Sequence, residues 1–386
     1  MSNKINRRDW LRKSALLTGG TALIPSFLQS LHASPLRTDN SLAAITELPD
    51  ASLPMKARLI FNENPFGPSE KAKQAMLDAM PISHQYAFND SEVLRKMIAD
   101  FEGVTPQHIL LGAGSSPLLA AAAIHFTTNG GSVITCDPTF DSLPKAAADV
   151  NGKWIKVPLT SDFKFDLNGI SQHIDGNTSL IYIVNPNNPT ATIVDASKLK
   201  SFCTSVSKKV PVFVDEAYID YLPNPQDTTT IANIKNGDNI IVARTFSKIY
   251  GLAGMRIGYI VAQPEMIKTL AKYNTGDLPG TLTLKAAIAS YQDKEFMKTS
   301  FDKTMASKQY LYDVLQKGGY EYIPSATNFV MFPIKMEGKQ FTDEMLKHGA
   351  GVRFWKFNNK DWCRVSIGRM DEMEVFASAL KEMKAA

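Results

Sequence analysis

From about residue 106 onward, short apolar, β-branched runs alternate with stretches whose apolar positions follow a helical spacing. Runs at 108–111, 132–136, 153–158, 179–184, 210–214, 240–244 and 256–261 are bounded by turn residues, and several lack apolar–polar alternation. That pattern predicts strands buried on both faces. Helices are predicted between them, at 117–126, 141–151 and 196–208 among others. Such alternation predicts an α/β fold with a mostly parallel, doubly wound sheet. After about residue 280 the pattern changes. A long helical stretch (282–316) ends at Gly318-Gly319, short strands follow near 329–333 and 363–367, and 370–384 reads as a closing helix. We expect a large α/β domain at 68–275 and a smaller α+β domain at 276–386, preceded by an N-terminal arm at 34–67.

Composition narrows the class. The chain has 386 residues, 44% hydrophobic and 21% charged, the balance of a globular protein with a sizeable core rather than a disordered chain. Its 42 Lys and Arg against 38 Asp and Glu leave a net charge of +4 with both signs interspersed, so no basic stripe suggests a nucleic-acid partner. Cys136, Cys203 and Cys363 are too few and too scattered for a disulfide framework or a zinc site, and read as buried small hydrophobes. The six histidines show no metal-ligand spacing, so no metal is expected.

The first residues read as an address. Arg7-Arg8 and Arg12-Lys13 precede an uncharged stretch at 14–29, which Gly19-Gly20 and Pro25 interrupt. The stretch is too short and broken for a membrane-spanning helix, and with small Ala33 it reads as a signal peptide at 1–33. The arginine pair followed by Trp10-Leu11 resembles the bacterial twin-arginine signal, with Asn6 and Trp10 as departures. This predicts a protein exported folded by the twin-arginine machinery to the periplasm, without stable membrane insertion; residence in the cytoplasm is the alternative.

Four segments at predicted strand ends carry chemistry, where open α/β sheets bind ligands. Gly112-Ala113-Gly114-Ser115-Ser116-Pro117 opens a helix, and the backbone amides of Ser115 and Ser116 make a candidate anion site. It lacks the third glycine of the dinucleotide fingerprint, which argues against nicotinamide binding. Asn185-Pro186-Asn187-Asn188-Pro189-Thr190 is a turn cluster. Asp215-Glu216-Ala217-Tyr218 puts a carboxylate at the end of a buried strand, where it needs a cationic partner. In the segment from Arg244 to Gly258, Lys248 stands among small residues and glycines, a poor setting for a surface lysine and a good one for a nucleophile.

Together these segments resemble the fold-type I pyridoxal-phosphate enzymes, most of all the histidinol-phosphate aminotransferase-like branch of the class I/II aminotransferases. The resemblance spans about Leu59 to Ser366 and includes the arm motif Asn62-Glu63-Asn64-Pro65-Phe66-Gly67-Pro68. It implies the aspartate aminotransferase-like fold, bound pyridoxal 5'-phosphate and a homodimer with shared active sites. It further implies that Lys248 bonds to the cofactor aldehyde and later shuttles a proton, and that Asp215 pairs with the pyridinium nitrogen. Asn188 and Tyr218 would bond the phenolic oxygen. Ser115, Ser116, Ser247 and Arg256 would grip the phosphate, Phe140 would stack on the ring, and Tyr86 would reach the neighbouring subunit's phosphate. For substrate, the resemblance points to Arg364 as the carboxylate clamp, with Arg353 near the pocket and Asn64 in the arm.

Departures gather on the substrate side. Ala191 stands for a glycine, Ser116-Pro117 for an acidic pair, and Phe140 for a tyrosine, while Ala87-Phe88 and Phe354-Trp355 replace the usual neighbours of Tyr86 and Arg353. The expected activity is transamination between an amino acid or related amine and a 2-oxo acid. Racemisation, decarboxylation or elimination on the same fold remains open at this stage, as does a non-catalytic ligand-binding role, against which intact Lys248 and Asp215 argue.

Overall fold

The computed structural model describes residues 55–274 and 279–385. The expected signal peptide (1–33) and the first part of the expected arm (34–54) lie outside the described residues. After β1 (Ala57–Arg58) come seven strands that share one sheet: β2 (Ile109–Gly112), β3 (Ser132–Asp137), β4 (Lys153–Pro158), β5 (Thr178–Val184), β6 (Val212–Asp215), β7 (Ile240–Thr245) and β8 (Gly258–Val261). Their order is β2-β8-β7-β6-β5-β3-β4, and β8 alone runs antiparallel to its neighbours. Every residue of β6, β7 and β8 is buried, as a sheet covered by helices on both faces requires. The expectation of an α/β fold with a mostly parallel sheet holds.

This topology collects the motifs. Because six strands run the same way, the residues after Gly112, Asp137, Val184, Asp215 and Thr245 all emerge at one edge of the sheet. The register fixes them side by side: Val184 pairs with Asp215, Asp215 with Ala243, Thr245 with Gly258, and Gly258 with Gly112. Antiparallel β8 begins where the others end, which brings the residues just before Gly258 to the same edge.

A second core holds three further strands in antiparallel order β11-β12-β9: β9 (Phe329–Ile334), β11 (Arg353–Phe357) and β12 (Lys360–Ser366). Arg353 lies directly opposite Arg364. The short β10 (Ala350–Gly351) pairs in parallel with β1, so the arm joins this second core.

Three details differ from the sequence reading. The stretch 282–316 is two helices, Thr281–Gln292 and Lys294–Lys317, divided at Asp293, whose side chain caps the second by accepting from Phe296 N. The first of these packs its buried Leu284, Ala286 and Ala287 into the large core, so that core extends past 275 and the division falls within Lys294–Lys317. The run at 256–261 becomes strand only from Gly258, because Arg256 takes a left-handed backbone (φ 55°). All three cysteines are buried and free.

Candidate active site

At the sheet edge the chain leaves a cavity of about 300 Å³. Eleven of the expected residues line it: Ser115, Ser116, Phe140, Asn188, Asp215, Tyr218, Ser247, Lys248, Arg256, Arg353 and Arg364. Two do not. Tyr86 is 83% exposed with its ring against Phe88, away from this cavity. Asn64 is buried and committed elsewhere: its Nδ2 donates to Ile249 O (2.7 Å) and Ser300 Oγ (2.9 Å), and its Oδ1 accepts from Phe66 N (3.1 Å). It staples the arm to the large core and does not line this cavity.

One end of the cavity is built for an anion. The helix Ser116–Thr127 starts there with no side chain capping its first turn and with Pro117 in that turn, so its amides face the cavity. Arg256 donates from Nη1 to Ala253 O (2.9 Å) and, at 3.4 Å, to Ser247 Oγ; among the described residues no carboxylate pairs with it. Gly114 takes a left-handed backbone (φ 87°) that L side chains rarely adopt, and a Cβ there would push the Arg256 guanidinium aside. Thr245 Oγ1 donates to Ser247 Oγ (3.0 Å) and accepts from Ser247 N (3.1 Å), which fixes the segment leading to Lys248.

At the centre stand Asp215 and Lys248. Asp215 Oδ1 accepts from Ala217 N (3.1 Å) and Oδ2 from Tyr182 Oη (3.3 Å). Burial pushes its carboxyl up to about 6, against the lowering effect of these two donors and the Lys248 charge. Lys248 has no ion pair among the described residues; its Nζ lies 3.4 Å from Phe61 O and 5.3 Å from the centre of the Tyr218 ring. In the turn after β5, Asn185 and Asn187 serve the loop: Asn185 Oδ1 accepts from Val194 N, while Asn187 Nδ2 donates to Pro138 O and Thr190 Oγ1. Asn188 is left for the cavity.

At the other end Arg364 is 3% exposed. Its Nη1 donates to Asn188 Oδ1 and its Nη2 to Ile60 O, each at 2.8 Å, and Nε has no hydrogen-bond partner. No carboxylate among the described residues pairs with it, and burial, with the Arg353 charge, pulls it down to about 10 despite the favourable Tyr218 oxygen. A buried cation held only by neutral oxygens is set to receive an anion. Phe61, Asn62, Glu63 and Thr245 also line the cavity and were missed. Asn62 shares the motif that drew attention to Asn64, but no spacing in the sequence tells which asparagine turns inward.

A lysine, a buried carboxylate, an anion cradle at a helix N-terminus and an unpaired arginine, gathered at this edge of this sheet, define an enzyme of the pyridoxal-phosphate, aspartate aminotransferase-like class. The chain belongs to the aminotransferase class I and II family, whose sequence pattern matches residues 54–380. It is 35% identical over 330 residues to the histidinol-phosphate aminotransferase of Moorella thermoacetica, covering 85% of each chain. With that of Brevibacillus brevis the identity is 34% over 327 residues, 84% of this chain and 90% of the other. Histidinol-phosphate aminotransferase from Sinorhizobium meliloti, solved in complex with pyridoxal-5'-phosphate, superimposes with a TM-score of 0.81 at 26% identity, covering 96% of this chain and all of that one. The protein is thus a pyridoxal-phosphate-dependent aminotransferase.

Proposed function

We propose that the amine substrate carries an anionic group, carboxylate or phosphate, which Arg364 binds at the far end of the cavity with Arg353 on the facing strand. The observation that carries this reading is the buried Arg364 guanidinium with no carboxylate and an unpartnered Nε. Relatives named for histidinol phosphate make a phosphorylated amino alcohol the first amine to assay, beside a panel of amino acids.

When bound, pyridoxal phosphate supplies an aldehyde that links to amines and a pyridinium ring that draws off the electron pair left at Cα. The residues fit it. The uncapped helix amides, Ser247 and Arg256 would hold the phosphate dianion. Asp215, raised by burial, would hold the proton on the ring nitrogen and regain its charge by doing so. Lys248 would supply the amine for the covalent link and, once the substrate amine displaces it, would take a proton from the substrate Cα and return it to the cofactor's former aldehyde carbon. Asn188 and Tyr218 would face the ring oxygen, and Phe140 would bound one ring face.

Two assignments lie outside the cavity. A homodimer with shared sites is supported by exposed Leu77, Met80, Ile82, Tyr86 and Phe88, an apolar surface in which Tyr86 has no role within its own chain's cavity. Export to the periplasm is supported by Arg7-Arg8 and the uncharged stretch that follows; a reporter fused to residues 1–40 loses export on Arg7→Lys plus Arg8→Lys if the reading holds, and retains it otherwise.

The test of the substrate reading is half-reaction spectroscopy of purified enzyme. Active donors should convert the visible band with release of one equivalent of the matching oxo product, an oxo acid from an amino acid and an oxo phosphate ester from a phosphorylated amino alcohol. Arg364→Met should raise KM for carboxylate or phosphate donors by about a hundredfold, in line with roughly 3 kcal/mol for a buried charged pair, with little change for uncharged amines. An unchanged KM removes Arg364 from substrate binding.

A further inference from the structure

Tyr218 does not stand alone at the cavity wall. Its hydroxyl oxygen lies 3.0 Å from Asn62 Nδ2, and Asn62 Oδ1 lies 2.9 Å from Ser366 Oγ, which itself accepts from Asn62 N at 2.8 Å. These three residues come from the arm, the large core and β12, and all three are buried. Asn328 Nδ2 donates to both Asn62 O and Glu63 O, which pins the arm backbone at this point. Asn62 itself has a left-handed backbone (φ 56°), a conformation asparagine accepts far more readily than branched residues.

The proton inventory of this chain has one consistent solution. Ser366 Oγ accepts the Asn62 backbone N–H, and its own hydroxyl proton finds one acceptor among the described residues, Asn62 Oδ1. That turns Asn62 Nδ2 toward Tyr218 as a donor. With its oxygen receiving a proton from behind, Tyr218 keeps its own O–H for the cavity side. The ring is held edge-on against Phe329 (5.1 Å between centroids), so it cannot swing to another partner without repacking.

We propose that Asn62, oriented by Ser366, is a positioning residue that fixes Tyr218 as a hydrogen-bond donor into the cofactor site. This rests on the reading that Tyr218 faces the ring oxygen of bound pyridoxal phosphate. A relay of this polarity strengthens the terminal donor, because each donated bond polarises the next. A fixed donor favours negative charge on the oxygen it faces, and so sets the pH at which the cofactor's linkage to Lys248 loses its proton. The relay also spans arm, large core and small sheet, so the donor is in place only when those parts are assembled.

The test is the pH titration of the visible band of the loaded enzyme, read without turnover. Tyr218→Phe should raise the midpoint by about one pH unit. Asn62→Gly, which suits the left-handed backbone and removes the donor, should raise it in the same direction, and Ser366→Ala, which frees the Asn62 amide to turn over, should do so by less. In the Tyr218→Phe background Asn62→Gly should have no further effect, since its action passes through the phenol. The proposal is overturned if Asn62→Gly and Ser366→Ala leave the midpoint at the wild-type value while Tyr218→Phe moves it, or if Asn62→Gly shifts it equally in both backgrounds. A midpoint unmoved by Tyr218→Phe itself sinks the underlying assignment of Tyr218 as well, which separates the two failures.

Discussion

Asp215 shows how a single residue trades stability for chemistry. It is buried with two neutral donors, and its carboxyl rises from 3.8 to about 6. Between those values the folded chain keeps a proton that the unfolded chain has released, so this group lowers stability as pH rises through that window and the penalty is complete above it. Asp215→Asn, which keeps the shape but cannot ionise, should raise the unfolding free energy of the cofactor-free protein by on the order of 2–3 kcal/mol at pH 8 and by little at pH 4. Urea unfolding at both pH values measures it. The same variant should lose roughly 10²–10³ in kcat, the scale of removing one preorganised electrostatic partner. A variant that is active and no more stable at pH 8 would contradict both the burial argument and the proposed role.

At the scale of elements, the site depends on where strands stop and helices restart. β8 begins at Gly258 rather than earlier, and the left-handed turn at Arg256 swings that guanidinium back over Gly114. The helix Ser116–Thr127 has no side-chain cap, so its first-turn amides stay available to a ligand. Other helices are closed by a side chain, as Ser69 and Asp195 close Glu70–Ala79 and Ala196–Val206. Asp293 caps Lys294–Lys317 through Phe296 N and also binds Lys71 Nζ at 3.1 Å, tying that junction to the helix Glu70–Ala79. Asp293→Ala should cost about 1 kcal/mol, a fall of roughly 1–2 °C in Tm for a chain this long. Asp293→Asn should retain most of it, because an amide oxygen still accepts from Phe296 N; calorimetry on the two variants distinguishes cap from ion pair.

For the whole molecule, the exposed apolar surface is the feature one chain leaves unfinished. Leu77, Met80, Ile82, Tyr86, Phe88, Val93 and Phe101 are exposed within 25 residues of sequence, more than isolated surface hydrophobes require. Light scattering of the purified protein should give twice the chain mass. Phe88→Asp should shift it toward monomer and weaken retention of pyridoxal phosphate, while Tyr86→Phe should leave the dimer intact and weaken cofactor retention only. A fully active monomer would rule out shared sites.

The sheet, and the places of Lys248 and Asp215 at its edge, were readable in the chain because each rests on local pattern. Buried strands declare themselves by apolar runs, and Gly112–Pro117, Asn188, Asp215, Tyr218, Lys248 and Arg256 each follow or precede such a run. Once the strands run parallel, those residues must meet at one edge. Other features had no local signal. That Asn62 faces Tyr218 while Asn64 turns to Ile249 and Ser300 depends on contacts with residues 156, 185 and 236 positions away. That Ala191 sits at φ 61°, where a glycine had been expected, shows a backbone conformation imposed by its surroundings against the residue's own preference. The place where one core yields to the next was also decided by packing, since Thr281–Gln292 lies against the helices Glu70–Ala79 and Phe88–Glu102 of the large core, partners about two hundred residues away that its own pattern does not name. Local pattern dictates which residues lie at strand ends; which side chains then face one another is settled by long-range contacts, because the same short polar residue can turn either way until its partners arrive.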